Sequence, residues 1–101
     1  MNSSGTPLFV EVITSPESVS SGMAIDKVRK IAKKRKGIVL LEISLATEEG
    51  QELARQLDIQ HAPAIAINGA LAYIGVPETA ELNKLLADAA HEEKEKTNYY
   101  I

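Results

Sequence analysis

The side chains that could do covalent or metal chemistry are few. Across 101 residues there is no cysteine, which excludes a disulfide, a thiolate nucleophile and a cysteine-ligated zinc or iron-sulfur site. The two imidazoles, His61 and His91, stand far apart without the paired spacing of a zinc site, so no metal and no cofactor is expected. Serines recur at Ser15, Ser18 and Ser21, but no histidine and acid constellation accompanies them, and an unassisted hydroxyl is a weak nucleophile. Glu11 and Glu42 fall inside apolar runs, where a carboxylate could shift a proton. Because a buried unpaired charge is costly, a rim or partly solvated position is expected for each. Lys27, Arg29, Lys30, Lys33, Lys34, Arg35 and Lys36 crowd into one segment, out of 11 positive residues in the chain. They could meet phosphates or an acidic partner, yet the segment has no interleaved aromatic and no glycine loop to cradle a phosphate. Cations also suit the C-terminal half of a helix, so a solvated face without nucleic acid is the expectation.

The elements that position these residues are bounded by length and composition. A chain of 101 residues with 45% apolar and 25% charged residues and a net charge of -3 is suited to one packed domain. The stretch from Met1 to Pro7 is small, polar and without a basic residue, and Glu11 interrupts the apolar run after it, so neither a secretory signal nor a membrane span is expected. A cytoplasmic location follows as an expectation. Residues 1–7 read as a flexible N-terminus, 8–90 as the domain and 91–101 as a charged C-terminal tail.

Periodicity and punctuation give the order of elements. Leu8 to Ile13 is a β-type run stopped by Thr14, Ser15 and Pro16. From Val19, the apolar positions Val19, Met23, Val28, Ile31 and Ala32 recur at helical steps until Gly37 closes the segment. Ile38 to Leu45 is nearly continuous aliphatic sequence, which predicts a parallel strand covered on both faces. Thr47 with Glu48 and Glu49 starts a helix whose apolar face is Leu53, Ala54 and Leu57. After Pro63, Ala64 to Ile67 and Leu71 to Ile74 are strands joined by Asn68-Gly69, the dipeptide that a two-residue hairpin turn prefers. Pro77 is expected in the first turn of a last helix carrying Leu82, Leu85, Leu86 and Ala89. The charged run His91 to Asn98 is expected to fray, and Tyr99, Tyr100 and Ile101 to be a disordered end. The predicted architecture is α/β, ordered βαβαββα, with a right-handed parallel crossover, a four-stranded mixed sheet and helices on both faces.

With that order in place, three passages resemble the thioredoxin and glutaredoxin family, most closely the small archaeal-type glutaredoxin-like thioredoxins. Val-Ile-Thr-Ser-Pro-Glu-Ser-Val-Ser-Ser-Gly at Val12 to Gly22 stands where the family places Thr-Ser-Pro-x-Cys-x-x-Cys. Glu-Leu-Ala-Arg-Gln-Leu-Asp-Ile-Gln-His-Ala-Pro-Ala at Glu52 to Ala64 is similar to the family's helix, connector and cis-proline. Ile-Asn-Gly-Ala-Leu-Ala-Tyr-Ile-Gly at Ile67 to Gly75 is similar to its hairpin and later glycine. The likeness extends from about Leu8 to Ala90.

The resemblance implies a thioredoxin-like fold and a role in thiol-disulfide oxidoreduction, that is, protein disulfide reduction and cell redox homeostasis. Ser18 then occupies the position of the nucleophilic cysteine and Ser21 that of the resolving one. In the family the first thiol lies at a helix N-terminus, where orphan amides and the dipole lower its pKa, and its thiolate attacks a disulfide. A serine hydroxyl keeps the shape and the hydrogen bonds without the acidity, so this chain is expected to be inactive in that exchange. Both serines are expected to act as helix-capping residues. The pair fits either replacement by design or natural loss of redox function. Pro63 is expected to be cis, with Ala62 offering backbone groups to an extended peptide. The binding groove implied is Thr14, Ser15, Pro16, Val19, Ala62, Pro63, Gly75 and Val76, with His61 on the surface beside it. The implied partners are disulfide-containing or extended segments of proteins, and a thioredoxin reductase. The alternative is a natural, non-catalytic thioredoxin-fold module that binds peptides or proteins.

Overall fold

The computed structural model describes residues 6–99, with side chains through residue 91. Four strands and three helices alternate as β1 (Leu8–Thr14), α1 (Val19–Lys34), β2 (Ile38–Ser44), α2 (Glu48–Leu57), β3 (Ala64–Ile67), β4 (Ala70–Ile74) and α3 (Thr79–Tyr99). The sheet runs in the order β2-β1-β3-β4. β1 pairs parallel with β2 through the α1 crossover and antiparallel with β3, which pairs antiparallel with β4. The mixed sheet expected from the order of elements is therefore present.

Strand alternation sends successive side chains to opposite faces. On one face Leu8, Val10 and Val12 join Ile65 and Ile67 against Ala24, Ile25 and Val28 of α1 and Leu82 and Leu86 of α3. On the other, Ile13, Ala64 and Ala66 meet Ile59 and the α2 side chains Leu53, Ala54 and Leu57. The alanines of β3 let α2 lie close, and Gly50 continues that approach: a Cβ there would stand 2.0 Å from the Ser44 carbonyl oxygen. Helices thus cover both faces, but α2, with 10 residues, is too short to cover the whole of its own. At the uncovered end Phe9, Val39, Leu41 and Leu71 are all exposed.

Several local expectations are corrected. β2 is an edge strand and is not covered on both faces, because α2 leaves Val39 and Leu41 bare. The buried face of α1 is Ser21, Ala24, Ile25 and Val28, whereas Val19 and Met23 point away from the core, 83% and 54% exposed. At 100° per residue those two lie across the helix from Val28. Pro77 precedes α3 instead of opening it: the first helical bond runs from the Leu82 N–H to the Glu78 carbonyl, while the Pro77 carbonyl accepts from Lys27 Nζ at 2.8 Å. The charged run from His91 to Asn98 does not end the helix, which continues to Tyr99. Residues 1–5 of the expected flexible N-terminus, and Tyr100 and Ile101 of the expected disordered end, lie outside the described residues. The Asn68-Gly69 turn has the anticipated form, with φ of 52° and 84°, and the Asn68 side chain accepts the Phe9 N–H at 2.9 Å.

Candidate functional site

The register gathers the predicted site residues at one end of the sheet. Ile13 is opposite Ala64, and Ala64 is opposite Ile74. One step further along, the ladders bring Thr14, Pro63 and Gly75 to the same level, and the Gly75 N–H donates to the Pro63 carbonyl at 2.8 Å. The Ala62-Pro63 bond is cis. Gly75 takes φ of 110°, which an L side chain rarely adopts, as the chain turns away after β4. Val76 packs half-buried against the core beside α3.

The loop from β1 into α1 is built by serine hydroxyls. Ser18 is the N-cap of α1, with extended backbone (φ -101°, ψ 116°), and its Oγ accepts the Ser21 N–H at 3.2 Å. This satisfies one of the amides that a helix start leaves without a partner. The Ser18 N–H itself donates to the Ser15 carbonyl at 3.0 Å. Ser21, 3% exposed, does not cap the helix in the ordinary sense: its Oγ accepts the Ser15 N–H at 3.0 Å and so ties the loop down onto the first turn. Half-buried Ser18 is the more accessible hydroxyl. Pro16 is exposed at the loop tip and Val19 stands exposed at the first helical residue. Met23, one turn further on, and Ile74, just before Gly75, add exposed apolar surface that the sequence reading did not assign to the site. Their signal was phase: Val19 and Met23 share a stripe offset from the Ala24, Ile25 and Val28 face.

The two candidate carboxylates part company. Glu42 is exposed and accepts a hydrogen bond from Thr14 Oγ1 at 3.3 Å, which fixes the buried threonine at the end of β1. Glu11 is half-buried on the opposite face, beside Leu41 and Asn68 along a shallow groove far from the serines. His61 is exposed in the connector before Pro63. Among the described residues no group of three His, Cys, Asp or Glu side chains converges to hold a metal, and no helix is long and apolar enough to cross a membrane. Lys27, from the basic cluster, holds the Pro77 carbonyl, and Arg29 pairs with Asp26 at 3.1 Å on the same helix.

The N-terminus of α1, the cis-Pro63 bond and Gly75 thus lie together at one end of the sheet. The side chains they present are the Ser18 and Ser21 hydroxyls. An unassisted serine at a helix start can cap and donate, but it supplies no thiolate at neutral pH.

Comparison with known proteins agrees with this geometry. No family model matches the chain. It is 30% identical over 79 residues, 78% of its length and 86% of the relative's, to a protein of Archaeoglobus fulgidus named "Probable Thioredoxin". The fold resembles the crystal structure of a protein disulfide oxidoreductase from Aeropyrum pernix K1, with a TM-score of 0.74 and 25% identity; the match covers 86% of this chain and 39% of that one. The oxidised form of mitochondrial thioredoxin 3 from Saccharomyces cerevisiae matches in fold with a TM-score of 0.67 and 15% identity, over 82% of this chain and 79% of that one. On the register, the N-capping loop and the A. fulgidus relative together, this chain belongs to the thioredoxin-like family, and it carries no cysteine.

Proposed function

We propose that the chain is a redox-inactive member of the thiol-disulfide oxidoreductase family, with Ser18 and Ser21 at the positions of the nucleophilic and resolving cysteines. The observation that carries the reading is the Ser18 side chain at the N-cap of α1, accepting the Ser21 N–H. Orphan amides and the positive helix end meet at that atom, and the same arrangement lowers the pKa of a thiol. The retained activity is recognition without chemistry. Ala62, half-buried before cis-Pro63, offers backbone groups to an extended segment in the manner of strand addition. Val19, Met23 and Ile74 supply apolar surface around it.

The double substitution Ser18→Cys with Ser21→Cys tests the reading. The chain as it stands should leave a protein disulfide substrate intact in the presence of thioredoxin reductase and NADPH or of a dithiol. The doubly substituted chain should reduce it. Continued inactivity of a folded double variant would count against the assignment of the two positions.

The second reading, a natural non-catalytic binding module, is favoured by the use already made of both hydroxyls: each holds a backbone N–H of the loop. On this reading the chain retains an extended peptide with no disulfide link, and Val19→Asp weakens retention while leaving the fold intact. Equal retention by the Val19→Asp chain would argue against a groove at this end of the sheet.

A further inference from the structure

One half-buried carboxylate stands among exposed apolar side chains, at the end of the sheet away from the serines. Phe9 and Glu11 point to the same face of β1, with Val39 opposite Phe9 and Leu41 opposite Glu11 on β2. On this part of the sheet, which α2 leaves bare, Phe9, Val39, Leu41 and Leu71 are between 38% and 47% exposed. A shallow groove of about 460 Å³ is lined by Phe9, Glu11 and Leu41 and by the Asn68-Gly69 turn. The Asn68 side chain holds that turn in place by accepting the Phe9 N–H. Among the described residues, Arg29 pairs with Asp26 and Arg55 with Glu52, whereas the Glu11 carboxylate has neither a hydrogen bond nor an ion pair.

We propose that this groove docks an arginine side chain carried between apolar residues on a segment of a partner protein. Charge complementarity selects the cation. A neutral apolar segment laid over the face would take the Glu11 carboxylate out of water without a partner, which is costly, and an acidic one would be repelled. The aromatic ring selects arginine over lysine. Phe9 and Glu11 are two residues apart on one strand, with Cα atoms about 6.6 Å apart. A guanidinium between them stacks on the ring and turns its fork of N–H donors to the carboxylate, whereas a compact, strongly hydrated ammonium makes a single point contact. The shallow form selects a protein segment over a small molecule. Apolar surface continues past the groove onto Val39 and Leu71, where residues flanking the arginine close the rim against water. Phe9 lies roughly 17 Å along β1 from Thr14, so this surface is separate from the one at the serine end and stands whether or not that end binds peptides.

The probe is the capped peptide acetyl-Leu-Arg-Leu-amide, titrated to about 10 mM into the isotopically labelled full chain and read by amide chemical shifts. The shifts should saturate and centre on Phe9, Glu11, Leu41 and Gly69, with Ser18, Val19 and Met23 unmoved. Replacing the arginine by citrulline keeps the shape and removes the charge, and should weaken binding at least about tenfold. That comparison needs no variant of the chain. Glu11→Gln, folded by circular dichroism, should lose the preference for arginine over citrulline, and Phe9→Leu should reduce it. Absence of a saturable shift overturns the proposal, and so does equal binding of the two peptides by the unaltered chain. Shifts centred on the serine end also overturn it. Groove amides that shift with protein concentration alone assign the face to a second copy, against the proposal.

Discussion

The buried Ser21 hydroxyl accepts the backbone N–H of Ser15 at 3.0 Å, so Ser21 fastens the loop that carries Ser18. Ser18 contributes differently, through the N-cap bond to the Ser21 amide at 3.2 Å. Both bonds are made by oxygen acceptors that a thiol would replace only weakly. The serines therefore have a structural role of their own in this chain.

That role predicts separable stability losses. Ser18→Ala removes a cap and should cost about 1 kcal/mol. Ser21→Ala leaves the Ser15 amide without its partner in a part-buried position and opens a small void, with an expected loss of about 1–3 kcal/mol. Urea denaturation of the two variants checks the order. A larger loss from Ser18→Ala than from Ser21→Ala would contradict it.

Two helical glycines should respond to alanine with opposite sign. Gly22 in α1 has nothing within 4 Å of an added Cβ, so Gly22→Ala should stabilise by roughly 0.5–1 kcal/mol through helix propensity. At Gly50 the added Cβ would lie 2.0 Å from the Ser44 carbonyl oxygen and 2.7 Å from its carbon, both backbone atoms. Gly50→Ala must push α2 off β2, and a loss of about 2 kcal/mol or more is expected from overpacking. Thermal unfolding of both variants gives the comparison.

Tyr73 offers a pH test. The nearby Glu81 carboxylate, helped by partial desolvation and by Glu78, raises its phenol above the usual 10.0. The folded state therefore holds the proton more tightly than the unfolded chain does. The resulting stabilisation is present in full below pH 10.0 and is lost as pH rises through the folded-state value. Phenolate absorbance should titrate late in the native protein, and Glu81→Gln should move it back down. No change on Glu81→Gln would remove the carboxylate as the cause.

Much of the fold was legible because its signals are local. Gly37, Thr47, Pro63 and Asn68-Gly69 punctuate the chain where elements begin or end, and the aliphatic runs between them fix the strands. The edge position of β2 was not legible: a continuous apolar run reads as buried on both faces, and only the short reach of α2 shows that one end stays bare. The stripe of α1 was misphased because Val19 and Met23 are apolar and spaced by four, although the core takes the Ser21, Ala24, Ile25 and Val28 side. Pro77 was misplaced by two residues, since proline suits both a first turn and the approach to one. At the site, Ser18, Ser21 and Pro63 are singled out by the resemblance to the thioredoxin and glutaredoxin family. The bonds from Ser21 to Ser15 and from Thr14 to Glu42 depend on side chains meeting across the turn and across the sheet, and no sequence pattern marks them.

On the proposed function, position 18 stabilises a thiolate when a thiol is present and is occupied here by a hydroxyl. The most direct measurement is the thiol pKa of the Ser18→Cys chain, read from thiolate absorbance against pH with the fold monitored in parallel. A helix N-terminus of this kind predicts a value well below the roughly 8.5 of a free cysteine, in the range of about 3.5–7.5. A folded Ser18→Cys chain whose thiol titrates at or above about 8.5 contradicts the account.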